Sequence, residues 1–311
     1  MNFNERYDPK KSRVLCGLNN KFKFLIELFE NNKFPKTLLL SGKKGLGKFT
    51  LIFHFLHFVF DKANYDLKSQ SFKIGSKFNK LVSENIFSNV IFLKGENFKN
   101  VKVEDIRNLK NMLSKTNLGS GKRFIILDDI ELFNINSLNA LLKSIEEPSS
   151  DNNYILIDNE TRPLTETIIS RALKIKFLLK NQERLKIIKS LIEQYNLDNL
   201  INLENSNLTP GNFLIYNHIC SNFDIDIKDG LYKNSEKILS LYKKHKDMKF
   251  VSLLLLLTDI YFFKKITKDK NNVEKLINDK NFILQTVNKL IFYNLNQNSA
   301  LNAINYKLKN E

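Results

Sequence analysis

An α/β domain on a parallel sheet, continued by an all-helical remainder, is the fold class that this 311-residue sequence predicts. Three observations carry the prediction. Short apolar runs alternate with helical patterns through the first half of the chain, the rhythm of a parallel sheet covered by helices on both faces. The first run, Leu38-Leu39-Leu40-Ser41, passes through the glycine-rich turn Gly42-Lys43-Lys44-Gly45-Leu46-Gly47 into a helical pattern at Lys48. Beyond about residue 178 the strand-like runs stop, and apolar residues recur only at helical spacing.

The lead-in, residues 1–20, is irregular and ends in Leu15-Cys16-Gly17-Leu18. A helix is predicted from Asn20 to Asn31, with Phe24, Leu25, Leu28 and Phe29 on its buried face. Phe34-Pro35-Lys36 breaks it and leads to a strand over 37–41. The helix from Lys48 to Phe60 is apolar nearly all round and should be buried. Its His54 and His57 have no third ligand nearby, so packed histidines are expected in preference to a metal pair. Residues 61–85 read as a loop with a short helix. Strands follow at Asn89–Lys94, Lys122–Asp129, Tyr154–Ile157 and Leu173–Phe177. Between them lie a helix from Val103 to about Lys115, a turn at Gly119-Ser120-Gly121, and a helix from Asn136 to Glu147 that stops at Pro148. Glu104 and Asp105 suit the positive end of the first of these helices. Further on, Gln182 to Tyr195 is amphipathic, with Leu185, Ile188, Leu191 and Ile192 inward. Thr209-Pro210-Gly211 starts another helix, because a threonine N-cap before proline is a start signal. Helices are then predicted over 234–245, 248–266, 271–278 and 280–296.

Composition excludes several classes. Hydrophobic residues at 42% and charged residues at 26% describe an ordinary globular chain, which sets aside fibrous and disordered readings. The apolar run Val251–Leu257 is broken by Thr258 and Asp259, short of the roughly 20 residues a membrane span needs, so a buried helix is expected and no membrane association. Cys16 and Cys220 match no disulfide framework or zinc spacing, and Met1–Arg6 shows no apolar leader, so a cytoplasmic protein is expected. A net charge of +16 would draw the chain to nucleic acid or another polyanion. Its crowding with Lys, Asn, Ile and Phe is also what an AT-rich genome produces, so charge by itself assigns no function.

The glycine-rich turn carries the first chemistry. In a loop of pattern G-x-x-x-x-G-K-[ST], backbone N–H groups cradle a polyphosphate, the lysine supplies charge, and the final hydroxyl binds Mg²⁺. Gly42, Gly47 and Lys48 fit, with Gly45 between them, but Phe49 stands where the hydroxyl belongs and Thr50 comes one place late. The strand Phe124-Ile125-Ile126-Leu127 ends in Asp128 and Asp129, the place where such proteins keep a metal-binding acid and a second acid that polarises water.

Asn139-Ala140-Leu141-Leu142-Lys143-Ser144-Ile145-Glu146-Glu147-Pro148 then resembles the signature of clamp-loader ATPase subunits of the AAA+ superfamily. Downstream, Thr167-Ile168-Ile169-Ser170-Arg171-Ala172 resembles that family's Ser-Arg-Cys signature, with alanine in place of cysteine. The likeness is strong over most of 1–180 and rests on layout alone beyond it. Among the kinds of subunit in the family, the bacterial delta-prime kind looks closest, since its loop is typically eroded where Phe49 stands.

The resemblance implies an AAA+ domain over 1–178, a small helical lid domain over 179–230 and an all-α collar bundle over 231–311. It places the catalytic glutamate on Asp129, one methylene short, and the first sensor on Asn159. The second sensor, an arginine beside a Pro-Gly, falls on Asn212, so the arginine is missing. Most bacterial relatives carry a four-cysteine zinc module before the second strand motif; no cysteine lies between Cys16 and Cys220 here, so residues 61–86 must close that gap otherwise. Gly42, Gly45, Gly47, Lys48, Thr50, Asp128, Asp129 and Asn159 would thus form a vestigial nucleotide site, without a metal, a required cofactor or ATP binding. Arg171 would instead reach the ATP of a neighbouring subunit and stabilise charge on the transferring phosphate. The expected role is a non-hydrolysing stator in the DNA polymerase III clamp loader, beside gamma/tau-like motor and delta-like subunits, meeting the sliding clamp and primed DNA through the complex. Two alternatives stay open: a motor-type subunit binding Mg·ATP through Lys48, Thr50 and Asp128, and a stand-alone basic DNA-binding protein.

Overall fold

The computed structural model describes residues 7–95, 101–114, 121–201, 203, 206–293 and 295–309. Its chain contacts divide into two compact units. One runs to Leu191 and takes in Thr209–Gly211; the other comprises Ile192–Leu208 and the chain from Asn212 onward.

In the first unit, helix α1 (Asn19–Glu30) precedes strand β1 (Thr37–Ser41) and helix α2 (Lys48–Phe60). A small hairpin of β2 (Tyr65–Asp66) and β3 (Ser71–Phe72) and helix α3 (Lys77–Ser83) come next. Then follow β4 (Val90–Lys94), α4 (Val103–Ser114), β5 (Arg123–Asp128), α5 (Ile135–Glu146), β6 (Asn152–Asp158), the single turn α6 (Glu166–Ile169), β7 (Leu173–Lys176) and α7 (Asn181–Tyr195). Five strands form one parallel sheet in the order β4-β5-β6-β1-β7. Burial on both faces explains the unbroken apolar runs. Side chains alternate along each strand, so Leu38, Leu40, Ile126 and Ile157 join the core under α1 and α2. Leu39, Ile125, Leu127 and Leu156 join the core under α4 and α5. Register sets Ser41 beside Asp158 and Lys176, and Asp128 beside Lys94, at the carboxyl ends of the strands. In open α/β sheets that end is where ligands bind.

The gap at 61–86 is closed by aromatic packing and a buried polar network. His54 Nε2 donates to the Ser12 carbonyl at 2.9 Å, which leaves Nδ1 to accept from the Tyr65 hydroxyl at 3.0 Å. His57 stacks on Phe72 with ring centroids 4.0 Å apart, and its Nε2 faces the Asn79 amide at 3.4 Å. Backbone bonds from Leu15 to Gln70 and from Phe72 to Arg13 fasten the lead-in to the hairpin. Burial lowers both imidazole pKa values to about 4, so the rings sit neutral inside the fold.

The second unit holds most of α8 (Pro210–Asn222), then α9 (Leu231–His245), α10 (Met248–Lys268), α11 (Val273–Tyr293) and α12 (Gln297–Lys309). Helix α9 packs on α10, α10 on α11, α11 on α12, and α12 back on α9, closing a four-helix arrangement. Val251, Leu253, Leu254 and Leu257 are buried within it. Among the described residues no helix is long and apolar enough to cross a membrane. The buried Asn217 ties the preceding segment to α8, accepting from the Leu200 N–H and donating to the Asp198 carbonyl.

Several expectations need correction. Phe24 is 43% exposed, and α1 buries Phe22 in its place, while Leu25, Leu28 and Phe29 face the core as expected. The loop at 61–85 contains a hairpin that its two-residue strands are too short to announce. Helices expected at 271–278 and 280–296 are one helix, α11: Asp279 does not break it but is buried against Lys307 at 2.8 Å. That partner lies on α12, which had no predicted counterpart. Arg184 is buried in α7, where Leu185 and Ile192 are half-buried. Gly119 and Ser120 of the expected turn, and Lys115, lie outside the described residues.

Candidate functional site

The glycine-rich loop joins β1 to α2. Gly47 opens α2 with φ of +79°, a left-handed conformation that glycine adopts without penalty. Each of four successive loop carbonyls has a donor. Lys48, only 2% exposed, donates its ammonium to the carbonyls of Gly42 and, at 3.0 Å, Lys43. The Thr209 hydroxyl donates to the Lys44 carbonyl at 2.8 Å and the Gly211 N–H to the Gly45 carbonyl at 2.9 Å. Gly211 has to be glycine for this approach, since a Cβ there would lie 2.8 Å from the Gly45 Cα. Burial pulls the Lys48 pKa down to about 8, opposed by Asp128, Asp158, Glu131 and Glu160.

Phe49 points its ring into the apolar core beneath the loop, where its centroid lies 5.5 Å from that of Phe92 on β4. Thr50 is half-buried in the first turn of α2. Asp128 ends β5; its Oδ2 lies 3.7 Å from Lys94 Nζ, and burial, followed by the charge of Asp129, raises its pKa. Asp129 sits just past the strand at φ of +54°, buried, with Oδ1 accepting from Asn159 Nδ2 at 2.6 Å and from Lys44 Nζ at 3.3 Å. Lys48, Asp128, Asp129 and Asn159 are thus gathered at one end of the sheet.

Other residues there were not anticipated. Lys44 reaches Asp129, and Ser41 Oγ donates to Asp158 Oδ2 at 2.7 Å with Glu160 Oε1 3.2 Å away. Glu131 is buried, with Oε1 accepting from Thr161 at 2.8 Å and Oε2 receiving no hydrogen bond. Ser41 immediately precedes the loop motif, Lys44 lies within it and Glu131 follows Asp129 by two positions, and that proximity was the available signal. Chemically, the carboxylate placed to polarise a water is held by an amide and an ammonium, while Glu131 keeps one oxygen without a donor. Among the described residues no group of three or more His, Cys, Asp or Glu could hold a metal ion.

Arg171 makes its contacts elsewhere. It follows α6, and its Nη1 donates to the Thr167 carbonyl at 2.9 Å. Nη2 lies 3.3 Å from Glu146 Oε1 and Nε 3.3 Å from Glu146 Oε2. Its side chain is 32% exposed and that of Glu146 53%. Glu146 is the last residue of α5 and part of the Asn139–Pro148 signature, but its pairing with Arg171 had no sequence signal.

A parallel α/β sheet with a glycine-rich phosphate-type loop after the inner strand β1, followed by helices, defines the class as an α/β protein of the phosphate-loop type. Within that class the chain belongs to the DNA polymerase III, delta subunit family, whose model matches residues 17–181, a little over half the chain. It is 27% identical over 268 residues to DNA polymerase III subunit delta' of Buchnera aphidicola subsp. Schizaphis graminum (strain Sg), covering 83% of this chain and 78% of that protein. Over 76 residues it is 37% identical to DNA polymerase III subunit delta' of Pseudomonas aeruginosa, 24% of this chain and 23% of that one. Against DNA polymerase III subunit gamma of the same Buchnera it is 24% identical over 196 residues, 61% of this chain and 51% of that protein.

Proposed function

We propose that this chain is a non-hydrolysing, delta-prime-type subunit of a DNA polymerase III clamp loader. It works in the cytoplasm beside gamma/tau-like motor subunits and a delta-like subunit, as a fixed part of the replicase assembly with no reaction of its own. Through that complex it meets the sliding clamp and primed DNA, and Arg171 serves the ATP site of the adjacent motor.

The observation that carries this reading is the placement of Phe49. Its ring fills core space against Phe92, so the first turn of α2 offers no oxygen at the metal-binding position of the motif. Lys48 is turned onto loop carbonyls and Asp129 onto Lys44 and Asn159, while Asn212 replaces the sensor arginine. Taken together these residues do not fit a catalytic Mg·ATP. Arg171 has the opposite character, a guanidinium at the surface on a short, well-packed turn.

Titrating the isolated chain with labelled ATP tests the reading. No saturable binding at micromolar nucleotide supports it, and micromolar affinity with turnover would establish a motor-type subunit instead. Salt-sensitive binding of primed DNA by the chain alone would favour a stand-alone DNA-binding protein.

A further inference from the structure

We infer that Glu146 is a positioning residue for Arg171, holding its guanidinium in one place through the terminal nitrogen Nη2. The inference rests on the reading of Arg171 as a finger toward a neighbour's ATP. A guanidinium presents five N–H donors in one rigid plane. Nη2 donates to Glu146 Oε1 and Nη1 to the Thr167 carbonyl, while Nε lies 3.3 Å from Glu146 Oε2 in an ion-pair contact that makes no hydrogen bond. These bonds use one N–H of each terminal nitrogen. One N–H on each terminal nitrogen is left. Such N–H groups can address the oxygens of a phosphoryl group.

The pair's position argues for orientation over stability. Glu146 ends α5, where a carboxylate meets the negative end of the helix dipole and is disfavoured. Both side chains are substantially exposed, and ion pairs in such settings contribute little to folding. Arg171, by contrast, is a long side chain whose many rotamers would scatter its tip. Two anchors from α5 and α6, elements that pack on each other, reduce that scatter to one direction. A misplacement on the ångström scale at a reacting centre is enough to cost a large factor in rate.

The test is steady-state ATP turnover by the loader reconstituted with its partner subunits, sliding clamp and primed DNA, reading kcat and KM separately. Glu146→Ala is expected to lower kcat roughly tenfold, with KM for ATP, assembly and melting temperature unchanged. Glu146→Gln, which keeps one acceptor oxygen, should recover part of that loss. In an Arg171→Ala background Glu146→Ala should have no further effect. If Arg171→Ala depresses turnover while Glu146→Ala does not, the positioning role is overturned and the finger stands. Additive losses in the double variant would also overturn it, because Glu146 would then act on something else. Unchanged turnover for Arg171→Ala removes the finger and this inference together.

Discussion

Lys48 and Arg171 are both cations in motifs associated with phosphate chemistry, and the fold treats them oppositely. Lys48 is buried, its charge opposed by burial and its N–H groups turned on the loop's own carbonyls. Arg171 is a third exposed, its terminal nitrogens bonded to Glu146 and the Thr167 carbonyl. The polar groups of the motif region are largely turned on one another, whereas Arg171 keeps part of its guanidinium exposed. On the proposed reading the loop serves to join β1 to α2, and the chemistry lies at Arg171.

The largest expected effect lies at the edge. Arg171→Ala should cut loader ATP hydrolysis at the site it serves on the order of 10³-fold, as removing such fingers does elsewhere. Single-turnover hydrolysis in the assembled complex checks this, with subunit assembly as the control.

Acid should break the loop side first. His54 and His57 have folded pKa values of about 4 against 6.5 unperturbed. Between those limits the unfolded chain binds protons that the folded one refuses, so stability falls as pH drops from 6.5 to 4 and levels off below. The shift corresponds to on the order of 3 kcal/mol per ring at most. Hydrogen exchange at stepped pH should show residues 61–86 and the lead-in losing protection before the β5–β6 core. Uniform loss across the first unit would contradict this.

Phe49→Thr sharpens the contrast from within the loop. Restoring a hydroxyl removes the Phe92 contact and should destabilise the chain by about 3 kcal/mol in urea unfolding. ATP turnover should stay absent, since Asp129 and Asn212 are unchanged. A smaller loss, about 1 kcal/mol, is expected for Thr209→Val, which deletes one hydrogen bond to the Lys44 carbonyl.

Much of this was legible in the residues. The strand β1, the loop and α2 were fixed by an apolar run, three glycines and a helical pattern, all local signals. Asp128 was legible because it ends an apolar strand run, and Asn159, just past β6, was named only through the family resemblance. What escaped depends on contacts distant in sequence. Asp279 reads as a polar break until Lys307 is seen against it. The hairpin at 65–72 exists through His54, His57 and the lead-in, not through any alternation of its own. Phe22 and Phe24 lie two residues apart on one helix, and only the packing decides which is inward. Glu146 sits at a polar position of an amphipathic helix, where a glutamate carries no message until Arg171 is placed beside it.

The most direct test sets the two cations against each other in one assay. Lys48→Met and Arg171→Ala subunits, each assembled into the complete loader, are compared for ATP turnover with clamp and primed DNA. Turnover close to that of the unmodified complex for Lys48→Met, and collapse for Arg171→Ala, is the predicted result. Collapse with Lys48→Met and normal turnover with Arg171→Ala would mean that the loop is the working site after all.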